Sequence, residues 1–255
     1  MKSKGPNIIL FDIETSLMKV ELPTFSLKMG NPYINHKHLK QDFYVISVAW
    51  KRLGDKKVKS VSVIDSPLRF SKDPKDDTFV LNKFRDVLDS ADMVVAHNGK
   101  RFDMKKLNAR FIEKGLKPLH DIPVYDTLTI LKKVASFTSN RLDFIAPKLG
   151  YKGKIESEGL WQKIYNKEGN DVKAIKAMVK YNKNDVDILE YVYNYIKPYG
   201  PSLTKLMSED SKGKAHCKKC GSKDVIKNGT KMLATGKHQT YRCNKCGGVT
   251  KGEKV

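Results

Sequence analysis

Four groups of residues in this chain could do chemistry. Asp12 and Glu14 stand two apart within Phe11-Asp12-Ile13-Glu14-Thr15, at the end of the apolar run Asn7–Ile13. On a strand, side chains two apart share a face about 6.7 Å from one another, so these two carboxylates would sit side by side. Two such groups beside a core repel each other and are costly to bury without a cation. A second acid, Asp103, closes His97-Asn98-Gly99-Lys100-Arg101-Phe102-Asp103, between an apolar run and a helix start. A third segment, Tyr181-Asn182-Lys183-Asn184-Asp185, lies in helical sequence and puts Tyr181 and Asp185 on one face, one turn apart. The fourth group is Cys217-x-x-Cys220 and Cys243-x-x-Cys246, which hold all four cysteines of the chain. Each acidic segment also has a plainer use: a solvated pair at a strand end, an acid favouring a helix N-terminus, an aromatic near a surface charge.

Taken in order, the three acidic segments resemble the motifs of the DEDD superfamily of 3′–5′ exonucleases (DnaQ-like, ribonuclease-H-like fold). Asp12-Ile13-Glu14-Thr15 looks like its first motif. Asn98, three residues, then Phe102-Asp103 is similar to the second motif as written in proofreading domains of family B DNA polymerases. Tyr181-x-x-x-Asp185 resembles the third motif of the tyrosine subgroup. The resemblance spans residues of about 7 to 197 and implies that Asp12, Glu14, Asp103 and Asp185 hold two Mg²⁺ or Mn²⁺ ions. Hard oxygen donors suit those ions, and a pair of them can stabilise both the attacking and the leaving oxygen of a phosphodiester. Tyr181 would orient the attacking water, because an unperturbed phenol is protonated at neutral pH. The resemblance further implies that Thr15 and Asn98 contact the substrate strand and that Phe102 lies beside it, although Phe102 and His97 also read as packing residues. Asp126 reads as a helix N-cap and Asp187 as solvated.

The cysteine pairs, each followed by a glycine (Gly221, Gly247) and separated by 22 residues, suit one tetrahedral Zn²⁺. A β-hairpin can fill that gap. His216 and His238 are reserve ligands, and four thiolates leave no open position, so the metal would be structural. The segment resembles zinc ribbons attached to DNA-acting proteins. Its lysines and arginine, including Lys218, Lys219, Lys231, Lys237, Arg242 and Lys245, suit phosphate, while docking to a polymerase or another replication protein is the alternative.

Elements must position these groups. The strand Asn7–Ile13 is followed by Tyr44–Leu53 and Val58–Ile64, rich in β-branched and aromatic residues, with Gly54-Asp55 as a turn between them. Helical spacing is expected over Phe79–Leu88 and Arg101–Glu113, short strands at Met93–Ala96 and Ile122–Tyr125, and helices near 127–135, 141–149 and 171–197. Strands followed by strand–helix alternation predict an α/β fold, a ribonuclease-H-like mixed sheet flanked by helices, with a small C-terminal zinc ribbon. Residues 17–42 read as an insertion or loop. The layout expected is a nuclease domain over 1–200, a linker over 201–214 and the ribbon over 215–255.

Composition narrows the function classes. The 255 residues carry 49 Lys+Arg against 28 Asp+Glu, a net charge of +21, which favours a polyanionic partner. Residues 1–209 contribute +12 and residues 210–255 contribute +9, so the tail is several times more basic per residue. Gly plus Pro is only 27 residues, which excludes a collagen-like or broadly disordered chain. No apolar run reaches the ~18 residues of a membrane span, and the opening MKSKGPNIILF lacks the apolar stretch of a secretory leader. The expectation is a cytoplasmic or nucleoid-associated enzyme that releases nucleoside 5′-monophosphates from single-stranded or frayed 3′ ends. DNA is favoured over RNA; an RNA exonuclease or a non-catalytic adaptor with the same fold are the alternatives.

Overall fold

Apolar alternation in the first strand organises everything around it. A computed structural model describes residues 6–22, 34–153, 155, 157–201, 216–233 and 236–255. Strand β1 (Ile8–Thr15) sends Ile9, Phe11 and Ile13 to one face of the sheet and Ile8 and Leu10 to the other, where Asp12 and Glu14 continue the row. A short pair, β2 (Lys19–Val20) and β3 (Leu39–Gln41), follows within the segment expected to be a loop. Next come β4 (Val45–Arg52), β5 (Lys59–Ser62), α1 (Pro67–Lys72), α2 (Thr78–Asp89), β6 (Met93–Ala96) and α3 (Asp103–Glu113). After these, β7 (Val124–Asp126), α4 (Thr127–Val134), α5 (Leu142–Lys148), α6 (Leu160–Asn166) and α7 (Val172–Ile196) complete the body.

The main sheet runs β5-β4-β1-β6-β7. β1 pairs antiparallel with β4 and parallel with β6, and β6 pairs parallel with β7. The carboxyl ends of β1, β6 and β7 therefore open on one edge, where ligands of α/β sheets gather. A register shift between Glu14 and Thr15 against β4 bends β1 at that edge, as bulges beside functional sites do.

Two apolar layers cover the sheet. On one side Phe84 of α2 packs 5.2 Å from Phe11 and 5.6 Å from Trp50, ring centroid to centroid. Deleting such a buried ring costs about 3–5 kcal/mol. On the other, Ile188, Leu189, Val192 and Tyr193 of α7 lie over Leu10, Met93 and Val95. α7 starts at Asp171, whose side chain accepts from the Ala174 N–H at 3.1 Å. Its long apolar stripe thus brings Tyr181 and Asp185 over the row that ends in Asp12 and Glu14.

The expected helices and strands of the body are present with ends shifted by a few residues, and two helices, α1 and α6, come in addition. The link between β4 and β5 is longer than the expected two-residue turn: Gly54 has φ 89°, and the Asp55 N–H bonds the Arg52 carbonyl at 2.9 Å within it. Asp187 is not simply solvated, since it pairs with the Nζ of buried Lys51 at 2.9 Å. Most of the expected linker over 201–214 lies outside the described residues.

A second sheet, β10-β9-β8, forms from β8 (Val225–Leu233), β9 (Gly236–Cys243) and β10 (Val249–Lys254), all antiparallel. β8 and β9 fill the gap between the cysteine pairs with the expected hairpin. Among the described residues no helix is long and apolar enough to cross a membrane.

Candidate active site and cysteine cluster

Carboxylate oxygens of Asp12, Glu14 and Asp185 all lie within 4.8 Å of one another. The strand period delivers the first two and α7 the third. Asp103, the first residue of α3, is buried behind them, and its Oδ1 accepts the Ile13 N–H at 3.3 Å. It stands outside the three-carboxylate cluster yet against the same strand.

Gathering these acids has an electrostatic cost. Burial, then the charges of Glu14, Asp103 and Asp185, push the Asp12 carboxyl well above its ordinary range. Burial, then Asp185 and Asp103, do the same to Glu14. Burial raises Asp103 to about 7. Such a set of hard oxygen donors, held together and short of positive charge, fits one or more divalent cations of the Mg²⁺ or Mn²⁺ type.

Neighbouring side chains fix the donors. The Asn182 Nδ2 donates to Asp12 Oδ2 at 2.7 Å, and Asn182 Oδ1 accepts from the Ser47 hydroxyl at 3.1 Å. Tyr181 hydrogen-bonds Asp185, and burial with that carboxylate pushes its phenol upward, so it stays protonated. Trp161 of α6 packs edge-on against the Tyr181 ring at 6.0 Å and donates Nε1–H to the Thr15 carbonyl at 3.1 Å. Sequence reasoning misses Ser47, Asn182 and Trp161. Asn182 does leave a trace in the sequence, because it interrupts the apolar series Met178, Val186 at helical spacing.

The turn after β6 is built tightly. Asn98 has φ 67°, a region that asparagine tolerates better than most residues, and a Cβ on Gly99 would meet the Ala96 Cβ at 2.4 Å. Asp126 accepts from the backbone N–H groups of Asn98, Lys100 and Thr129, each at 3.1 Å. It is the expected N-cap of α4 and also the anchor of this turn. His97, which reads as packing, bonds Thr127 Oγ1 through Nδ1 at 2.9 Å, and burial lowers its pKa to about 4.

Asp12, Asn98, Tyr181 and Asp185 face an open cleft of about 520 Å³. Its opposite wall, invisible in the sequence, runs from Lys132 through Thr138–Asp143 and includes Arg141. Of the other expected substrate residues, Thr15 and Phe102 do not line the cleft. Phe102 is 39% exposed with the Lys106 Nζ 5.9 Å from its ring centre.

The cysteine cluster is built by two equivalent turns. The Gly221 N–H bonds the Cys217 carbonyl at 2.8 Å and the Gly247 N–H bonds the Cys243 carbonyl at 2.9 Å. Both glycines take positive φ, 74° and 70°, which lets the chain reverse around each pair of sulfurs. The Sγ pairs Cys217–Cys246 and Cys220–Cys243 are 3.6 Å apart, too far for the ~2.05 Å of a disulfide. They match instead the roughly 3.8 Å edge of a tetrahedron with ~2.3 Å zinc–sulfur bonds. All four sulfurs lie within 4.8 Å of one another, and neither His216 nor His238 joins them.

Compared with known families, residues 35–197 match the RNase H superfamily. That span takes in Asp103, Tyr181 and Asp185 and begins after Asp12 and Glu14. The DNA polymerase III of the PolC type from Ureaplasma parvum serovar 3 is 27% identical over 143 residues, which is 55% of this chain and 9% of that protein. In fold, the chain is similar to the family B DNA polymerase from the hyperthermophilic archaeon Pyrobaculum calidifontis, with a TM-score of 0.54 and 17% identity over 76% of this chain and 25% of that one. The chain thus spans only a small part of either relative.

Proposed function

This chain belongs to the RNase H superfamily, and from that premise we propose that it is a metal-dependent 3′–5′ exonuclease of the tyrosine DEDD subgroup. The observation that carries the reading is the cluster of Asp12, Glu14 and Asp185, with Tyr181 bonded to Asp185 and both lining an open cleft. Asp12, Glu14 and Asp185, with Asp103 behind them, would hold two Mg²⁺ or Mn²⁺ ions. When bound, these supply Lewis acidity toward the phosphodiester and activation of water at neutral pH. The chain's own residues do the rest. Tyr181 keeps its proton and orients the attacking water against Asp185. Asn182 locks the rotamer of Asp12. Lys132 and Arg141 face the strand phosphates from across the cleft, and Asn98 presents its side chain where the terminal nucleotide enters.

DNA is the favoured substrate because the relatives are DNA polymerases. In this reading residues 1–200 form the nuclease, 201–214 the linker and 215–255 a zinc ribbon that adds positive charge to the hold on the strand. A test is to incubate 3′- and 5′-labelled DNA and RNA oligonucleotides with the protein and Mg²⁺ or Mn²⁺. Nucleoside 5′-monophosphates should leave from 3′ ends, and Asp12→Ala should slow this at least about a thousandfold, roughly 4 kcal/mol. Failure of the wild type on both polymers, or undiminished activity in the variant, sinks the reading. Release from RNA alone would replace the substrate.

A further inference from the structure

A groove of about 810 Å³ lies between the end of α7 and the cysteine sheet, away from the carboxylates. One wall carries Tyr195 and Tyr199, the other Lys219, Arg242 and Lys245. The Lys219 Nζ donates to the Pro198 carbonyl, so the cysteine unit abuts the helix end. Tyr195 is 48% and Tyr199 70% exposed, a large aromatic surface to leave in water. Tyr195 is not a loose side chain. Its ring packs 5.1 Å from that of Tyr191, which packs 5.1 Å from Tyr151, and the Tyr191 hydroxyl is tied to the Leu149 carbonyl at 2.8 Å. The result is a braced aromatic ladder along one side of α7. Residues 216–255 hold ten basic and two acidic side chains, so the opposite wall is strongly positive.

Exposed rings, one of them braced, set beside cations match one polymer, since bases stack on aromatic faces while phosphates meet lysine and arginine. An acidic peptide would use the cations and leave the rings idle. We propose that this groove is a second binding site for single-stranded nucleic acid, in which bases stack on Tyr195 and Tyr199 and phosphates contact Arg242 and Lys245. Asp185 and Tyr195 are about 15 Å apart along the helix at 1.5 Å per residue. A single strand of a few nucleotides spans such a distance, so one strand can reach from cleft to groove. The inference rests on the chain acting on nucleic acid, but not on its cutting it.

The test measures binding of a fluorescent single-stranded 20-mer to the full chain, without added magnesium or manganese, across a salt series. Tyr195→Ala with Tyr199→Ala should weaken binding about tenfold or more for each ring and leave the salt slope alone. Phenylalanine at both positions should restore affinity, because the ring and not the hydroxyl does the stacking. Arg242→Ala with Lys245→Ala should flatten the salt slope by about 1.4, at ~0.7 for each phosphate that is no longer neutralised. Zinc content equal to wild type in each variant shows that the cysteine unit is intact. Wild-type affinity in both the tyrosine and the cation variants overturns the proposal and leaves the groove to a protein partner. A response to the cations but not to the rings overturns it equally. A wild-type chain that binds no oligonucleotide at all overturns the proposed function with it.

Discussion

The carboxylate cluster and the cysteine cluster both gather groups that could hold a metal, but they rest on different foundations. Asp12 and Glu14 hang from a sheet covered on both faces by apolar layers, and Asp103 and Asp185 from helices α3 and α7; those layers supply folding energy independently of any ion. The cysteine unit has no such support. Among its described residues the buried side chains are Cys217, Cys243, His238, Thr240 and Thr250, with no aliphatic group. Where a core exists, the protein can hold an electrostatically unfavourable site open for a cation. Where the described residues hold none, a cation bound by the four cysteines would have to supply the folding energy.

The sharpest way to break this contrast is to remove zinc. Apparent binding free energies for structural zinc run to roughly 10–16 kcal/mol, so chelation or Cys217→Ser should unfold residues 216–255 outright. Both tryptophans, Trp50 and Trp161, lie in the body, so their fluorescence reports that part alone and should keep its native emission and melting point. Cobalt substitution should give thiolate charge-transfer absorption, abolished in Cys217→Ser. A body that melts together with the cysteine unit would refute the independence.

A divalent cation should act on the body far more gently. At a hundredfold excess over Kd a ligand adds about 2.7 kcal/mol, which for a body of about 200 residues raises Tm by roughly 5–10 °C. The pH dependence has a definite sign. Asp103 has a folded pKa near 7 against an ordinary 3.8, so folding takes up a proton. Its stabilising contribution is present below the ordinary value and is lost as pH rises through about 7. Without added cation the body should therefore weaken from pH ~5 to ~8. The cation prefers the deprotonated carboxylates, so its stabilisation should widen over the same range. Parallel tryptophan melts with and without Mg²⁺ check this, and a gap that narrows with pH contradicts it.

Much of the site is legible in the sequence because it follows short periods. Asp12 and Glu14 share a face by the two-residue repeat of a strand, and Tyr181 and Asp185 by the four-residue step of a helix. The cysteine spacing is equally local. What escapes depends on contacts between distant segments. α6 is only seven residues long, starts after Gly159 in the left-handed region and is too short to show periodicity, so Trp161 has no visible role in the sequence. In α1, Leu68 is 81% exposed, and no buried stripe marks the helix. The wall from Thr138 to Asp143 is mostly loop, and its place in the cleft is set by how α4 and α5 pack against α7.

Asn182 joins what is legible to what is not, and it yields the smallest expected effect. It is fully buried between Ser47 and Asp12, and its amide gives Asp12 a donor that no cation displaces by necessity. Replacing it with leucine keeps most of the volume but removes that donor and leaves the Ser47 hydroxyl without its acceptor. Supporting hydrogen bonds of this kind are worth about ten- to a hundredfold in metal affinity or activity. Asn182→Leu should therefore raise the Mg²⁺ concentration needed for half-maximal hydrolysis by that factor, while activity at saturating Mg²⁺ falls much less. Ser47→Ala should follow in the same direction with a smaller shift, because Asn182 keeps its bond to Asp12. Equal loss at every Mg²⁺ concentration would instead place Asn182 in the packing of α7 against β4. The carboxylate site would then owe its geometry to the core alone, and the contrast with the cysteine unit would be sharper still.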